Sequence, residues 1–367
     1  MPINDSEAYV ALNLLPGMGP VRARRLVEAF GSPSQVLQTP SSRLKQVEGI
    51  GNELAETIYG WEKLADPTRE KELAKQCGAT ILTQADEAYP ESLRHIYDAP
   101  LTLYIRGSLL ARDQKGVAVV GTRSPSYYGK ETARKLSFQM AYAGITVVSG
   151  LARGIDSAAH EGALAAKGRT VAVLGCGIDQ VYPSENKALA EKIAAAGAVV
   201  SEFPVGTKPD RQTFPIRNRT VSGLSMGVLV VEAAVNSGAL ITARMALDQG
   251  RHVFAVPGRI DTPDARGCHQ LIKQGARLVE EVGDVLSEFE FLFPSQSTGP
   301  TEKKQAGGLE GDDLVVWDAV GTGECAIDEI TRNCGLPVSK VSAILLNLEI
   351  KRRVKSLPGK YFTRVCE

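Results

Sequence analysis

Three short stretches of this chain carry residue types that could recognise an anion. Gly121-Thr122-Arg123 follows one apolar run, and Ser149-Gly150-Leu151-Ala152-Arg153-Gly154-Ile155-Asp156 follows the next. Lys208, Arg211 and Phe214-Pro215-Ile216-Arg217-Asn218-Arg219 form the third group, which reads as a long loop. Small residues let a backbone approach a ligand, N–H groups at a helix start favour negative charge, and a guanidinium pairs with phosphate through two parallel bonds. A phenylalanine among cations adds a flat surface for a base. Together the residues fit a phosphate track with a stacking platform. The competing reading of either glycine loop is a tight turn without a ligand. For Arg217 and Arg219 it is internal pairing with Glu202 or Glu232.

No catalytic constellation emerges. Ser157 and His160 stand three residues apart beside Asp156, with no independent oxyanion loop, so the histidine reads as structural. Glu232, at the end of an apolar run, could be an acid–base group of a nucleotide-cleaving site or an anchor for Arg217. A Walker A loop fails, because the stretch from Gly121 to Gly129-Lys130 is too long and Glu131 follows the lysine; Gly175-Cys176-Gly177 lacks the third glycine of a dinucleotide loop. The 6 cysteines include no CxxC pair and there are 4 histidines, which points to reduced thiols, no metal and no cofactor.

The elements that must position these loops are legible as changes of texture. Residues 1–78 read as short helices in which Leu15-Pro16-Gly17-Met18-Gly19 and Val47-Glu48-Gly49-Ile50-Gly51 each open a helix (Pro20 to Phe30, Asn52 to Ala65), the spacing of a helix-hairpin-helix or SAM-like domain. Residues 79–291 alternate short β-branched runs with helix-length amphipathic segments. The runs 117–120, 145–148, 170–174, 198–201, 227–231 and 252–256 are nearly all apolar, as strands buried on both faces should be. The fold class expected is α/β, a Rossmann-like doubly wound, mostly parallel sheet whose ligands bind beyond the carboxyl ends of the strands. Residues 292–312 read as a flexible linker, and 313–367 as a winged-helix domain of helices and a basic-edged hairpin.

The chain has 367 residues, 43% hydrophobic, enough for two or three domains with a sizeable core. Its 42 Lys plus Arg balance 42 Asp plus Glu, which taken alone argues against a polyanionic partner. The balance hides segregation: residues 121–220 hold 13 basic against 8 acidic side chains, and 281–330 hold 2 against 12. A polyanion would therefore be confined to a local groove. No basic–apolar leader and no bilayer-length apolar run occur, so a cytoplasmic protein without membrane contact is expected.

At this point the residues resemble the bacterial DNA processing protein A (DprA/Smf) family. GTR at 121–123, SGLARGID at 149–156, YP at 182–183, FPIRNR at 214–219, EAAVNSGALITA at 232–243 and GRHVFAVPG at 250–258 carry the resemblance, which extends over essentially the full chain. It implies a non-enzymatic, cofactor-free binder of single-stranded DNA in natural transformation and recombination, which protects incoming strands and loads the RecA recombinase. It also implies a homodimer formed through the Rossmann-like domain. By motif position, the resemblance assigns DNA contacts to Arg123, Lys208, Phe214, Arg217, Asn218 and Arg219. With the glycine loops added, the expected DNA site comprises Gly121, Thr122, Arg123, Ser149, Gly150, Arg153, Gly154, Lys208, Phe214, Arg217, Asn218 and Arg219. The alternative is a nucleotide phosphoribohydrolase on a similar fold, against which stands the absent PGGxGTxxE signature at Val256-Pro257-Gly258-Arg259-Ile260. A duplex-reading regulator is a third reading; its would-be recognition helix, 338–349, offers Lys340, Ser342 and Asn347 but no arginine.

Overall fold

A computed structural model describes residues 3–289, 311–321, 325–350, 353–357 and 361–364. The chain divides into two compact units, Met1–Phe293 and Pro294–Glu367. The expected linker lies almost wholly outside the described residues.

The first unit is built on a nine-stranded sheet. Its strands are β1 (Ala79–Thr83), β2 (Thr102–Gly107), β3 (Gly116–Val120), β4 (Thr146–Ser149), β5 (Thr170–Val173), β6 (Ala198–Ser201), β7 (Gly227–Val230), β8 (His252–Ala255) and β9 (Arg277–Leu278). They lie in the order β1-β2-β6-β5-β4-β3-β7-β8-β9. From β6 to β9 every pairing is parallel, whereas β1 and β2 add an antiparallel edge. Strands β3 to β7 are buried at every residue, which is why they appear in the sequence as unbroken apolar runs. The sequence reading placed six of these strands and missed β1, β2 and β9.

Helices cover both faces. Tyr127–Tyr142 and Ile155–Ala165 bury Leu136, Met140, Ile155 and Ala159 against Val117, Val147 and Leu229. On the other face, Thr213–Gly223 and Gly238–Asp248 pack Val221, Leu240 and Ala243 against Val120, Val228 and Val230. The first of these corrects the sequence reading, which left residues 213–219 in a loop. Its inward side carries Arg217, Thr220 and Ser222, so no apolar period marks it, and Pro215 is tolerated because it falls in the first turn.

The amino-terminal helices bury a separate cluster, with Leu12, Leu26, Leu44 and Ile58 fully enclosed. Gly17 and Gly49 adopt φ of +76° and +85° in the two turns, and Gly19 and Gly51 cap the helices that follow. The second of those helices ends at Tyr59 rather than Ala65, because Gly60 terminates it. In the second unit, helices Asp312–Val320, Ile327–Cys334 and Val338–Ile350 surround Val316, Ile330, Val341 and Leu345, beside a sheet of β10 (Cys325–Ala326), β11 (Val354–Leu357) and β12 (Tyr361–Arg364). Gly335, in the left-handed conformation, makes the turn between the second and third helices. This is a winged helix. No helix among the described residues is long and apolar enough to cross a membrane.

Candidate nucleic-acid interface

Strand order reverses between β3 and β7, so the chain leaving β3 and the chain leaving β7 diverge to opposite faces and open a crevice. A cleft of about 680 Å³ occupies it. Gly121-Thr122-Arg123 after β3, Gly150 and Ala152 after β4, the start of helix Thr213–Gly223 and the start of helix Gly238–Asp248 form its walls. The two glycine loops are tied together: Ile155 N–H donates to the Thr122 carbonyl at 3.2 Å. Gly154, at φ +79°, sits so close that a Cβ would meet that carbonyl oxygen at 2.5 Å.

The floor of the cleft is internally neutralised. Asp156 accepts from the N–H groups of Gly150 and Ala152 at 3.1 and 3.3 Å, taking the anion position that the loop's amides create. Burial pushes the Asp156 pKa up, opposed by Arg217 and these two amides. Arg217, 5% exposed, donates to the carbonyls of Gly150 and Val173, and its Nε donates to Asn218 Oδ1 at 3.2 Å. Its guanidinium lies over Gly150, where a Cβ would approach it to 2.4 Å. Arg219 points away from the cleft to Glu202, with Asp98 at 3.3 Å. The Glu202 pairing was the competing expectation for Arg219. Ser149 is buried and donates to the Val119 carbonyl at 2.6 Å, a strand-to-strand link rather than a cleft contact.

His160 lies beneath this floor with no exposure. Its Nδ1 is 2.6 Å from Thr170 Oγ1, whose own proton goes to the Val147 carbonyl, so Nδ1 carries a proton and donates. Burial, with the Arg217 charge second, holds its pKa down to about 3. The histidine is structural, as its spacing suggested.

The mouth is different. Arg123 is exposed and its guanidinium lies 5.2 Å from the centroid of the Phe214 ring. Tyr182, 47% exposed, flanks the same ring at 5.7 Å, and exposed Arg211 lines the cleft beside it. A cation laid on an aromatic face presents charge and a flat apolar surface together. Asn218 is half-buried on the wall, whereas Lys208 is exposed on the preceding segment and does not line the cleft. Arg153 borders a small adjoining hollow, where Nε and Nη2 hold Glu185 at 2.6 and 2.8 Å. Sequence reasoning passed over the wall formed by Ser237, Gly238 and Ala239. Ser237 caps that helix by accepting from Ala239 N–H at 3.3 Å, and its signal was a capping serine before an apolar helix.

Glu232 anchors neither Arg217 nor Arg219. Its carboxylate accepts from Ser126 N–H and Oγ, both at 3.0 Å, and lies where a Cβ on Gly129 would fall. It thereby fixes the start of helix Tyr127–Tyr142 and the exit of the Arg123 loop. Cys268 is buried against the Val230 carbonyl, and burial pushes its thiol up to about 12.

Three family models match consecutive parts of the chain: DNA recombination-mediator protein A over residues 80–290, the DprA winged helix domain over 300–360, and a SAM-like helix-hairpin-helix tandem over 11–60. Protein Smf of Synechocystis is 36% identical over 98% of this chain and 99% of its own length. Protein Smf of Escherichia coli is 42% identical over 78% of each. The X-ray structure of DNA processing protein A from Streptococcus pneumoniae superposes with a TM-score of 0.69 at 34% identity, covering 78% of this chain and 99% of that one. The Helicobacter pylori protein of the same name superposes with a TM-score of 0.52 at 29% identity over 58% of this chain and 97% of its own. With a core sheet, a helical amino-terminal segment and a winged helix that each match, the chain belongs to the DNA recombination-mediator protein A (DprA/Smf) family.

Proposed function

We propose that this protein binds single-stranded DNA in the cleft at the β3–β7 crevice and serves DNA processing in natural transformation. The observation that carries the reading is the pairing of exposed Arg123 with the Phe214 ring at 5.2 Å, with Tyr182 behind it, at the mouth of a cleft large enough for a nucleotide. Phosphates would meet Arg123, Arg211, the Thr122 hydroxyl and the start of helix Gly238–Asp248, while bases stack on Phe214. The solved Helicobacter pylori relative is described by its single-stranded DNA binding mode, which supports the same ligand here. Arg217, Gly150 and Asn218 shape the cleft, and Arg219 holds the helix that carries Arg217 and Asn218.

The finer reading is a cytoplasmic homodimer, closed through the sheet-bearing unit, that shields incoming strands and loads RecA, without catalysis or cofactor. The neutral whole-chain charge fits this, since DNA is held by a localised site rather than by the whole surface. No observation favours a nucleotide-cleaving enzyme: Glu232, the acid–base group such a site would use, is 6% exposed and committed to Ser126.

Gel-shift titration with single-stranded and duplex DNA at two salt concentrations tests the site. Arg123→Glu is expected to abolish most single-strand binding with an unchanged melting temperature; unaltered affinity would remove the cleft from the account. RecA loading is read by strand exchange on DNA coated with single-strand-binding protein, and the dimer by sedimentation.

A further inference from the structure

The end of the sheet opposite the cleft carries a second patch of cations and aromatic rings. The hollow there, of about 230 Å³, lies where β4 and β5 begin, and Arg112, Tyr142, Lys167 and Arg169 line it. Tyr142 is 80% exposed, and Phe138, one turn earlier on the same helix, is 40% exposed. Their rings are parallel within 4°, with centroids 6.3 Å apart, so the two form one aromatic surface facing solvent. Two large exposed rings side by side are costly in water unless something covers them.

The charge around these rings is positive after internal pairing. Arg169 holds Asp113 at 2.7 Å, and Arg134 pairs with both Glu161, at 2.8 Å, and Glu131, a group with one net negative charge that three further cations outnumber. Arg112, Lys135 and Lys167 are exposed and make no ion pair among the described residues. Lys167 also adopts φ +55° just beyond the carboxyl end of helix Ile155–Ala165, a place glycine usually takes, so a cation is held there against a backbone preference.

Free cations beside exposed, parallel rings match a polyanion with accessible flat bases, which is a single strand rather than a duplex or an acidic protein. We propose that this patch is a second single-strand contact surface, engaging the part of a bound strand that extends beyond the cleft. The inference rests on the reading of the cleft given above. The cleft and the patch lie toward opposite ends of helix Tyr127–Tyr142, whose 16 residues span roughly 24 Å, a surface path that one strand of roughly 20 nucleotides can cover.

The experiment compares the full chain with Arg112→Glu/Lys167→Gly and with Tyr142→Ala on oligothymidylates of roughly 6 and roughly 20 nucleotides, lengths that bracket a single contact site. The glycine at position 167 removes charge while relieving the left-handed backbone, and Tyr142 is exposed, so melting curves should match wild type. Expected is a roughly tenfold or larger loss of affinity for the long oligonucleotide. Its salt slope should fall by roughly 1.4 in the double variant, and short-oligonucleotide affinity should not change. Unchanged long-oligonucleotide affinity overturns the patch alone. So does an equal loss on both lengths, a loss confined to duplex DNA, or a change of sedimentation without a change in DNA affinity, which would make the face an interface between copies. Wild-type protein that binds neither length overturns the cleft reading itself, and this proposal with it.

Discussion

Arginines buried at and behind the floor of the cleft and arginines at its mouth belong to one expected cation cluster and do opposite things. Arg217 and Arg219 are each 5% exposed, Arg217 committed to the Gly150 and Val173 carbonyls and Arg219 to Glu202 and Asp98, whereas Arg123 and Arg211 are exposed, with Arg123 laid on Phe214. A guanidinium that is already desolvated and paired has little left to offer a phosphate. One held at the surface on an aromatic ring keeps its charge available and gives up little side-chain freedom on binding. The difference teaches that a run of cations is no measure of binding capacity until the internal carboxylates are located.

The contrast can be broken most forcefully at the floor. Arg219→Ala leaves Glu202 buried without its main partner, and breaking a buried pair from one side costs about 3–5 kcal/mol. Chemical denaturation should show that loss, with single-strand affinity near wild type below the transition; a stable variant with weakened binding would move Arg219 into the DNA site. A pH series probes the same floor. His160 has a folded pKa of about 3 against an ordinary 6.5, so the unfolded chain takes up a proton that the folded chain refuses. Its contribution is fully present above pH 6.5 and is lost as pH falls toward about 3. His160→Asn should be less stable at neutral pH and lack that component of the slope when unfolding free energies are measured across the window.

Gly150→Ala drives a methyl to within 2.4 Å of the Arg217 guanidinium, which must give up its bonds to the Gly150 and Val173 carbonyls to move aside, and should cost about 1–3 kcal/mol in thermal or chemical unfolding. At the mouth the expected loss shifts from stability to affinity. Phe214→Ala should weaken single-strand binding by about 1–3 kcal/mol in fluorescence titration, and undiminished affinity would dismiss the stacking platform. Arg153→Ala sits at the small end, because Glu185 already holds that exposed guanidinium; neither melting temperature nor DNA affinity should move measurably.

Much of the fold was legible because buried parallel strands are apolar at every position. The runs 117–120, 170–173, 198–201 and 227–230 carry only apolar or small side chains apart from Thr170 and Ser201. Strand β1 escaped notice because only Ala79 and Thr83 are buried in it, and β9 because it has two residues, both exposed. The helix Thr213–Gly223 was invisible for a deeper reason: apart from Val221 and Gly223 the side it buries is polar, and its partners, Glu202 and the carbonyls of Gly150 and Val173, lie in other elements of the sheet. Periodicity detects a face that water rejects. It cannot detect a face that distant hydrogen bonds satisfy.

The amino-acid sequence by itself determined the doubly wound sheet, the glycine turns of the amino-terminal helices, the winged-helix outline and the motifs that place the chain in its family. These follow from local geometry and from apolar periodicity, both of which are written residue by residue. Tertiary structure alone decided which cations stay free. It turned Arg219 to Glu202, sat Asp156 in the amides of the second glycine loop, gave Glu232 to Ser126, and left Arg123 on Phe214. Charge availability depends on what folding brings within a few ångströms, and strand order, not sequence separation, sets those neighbours.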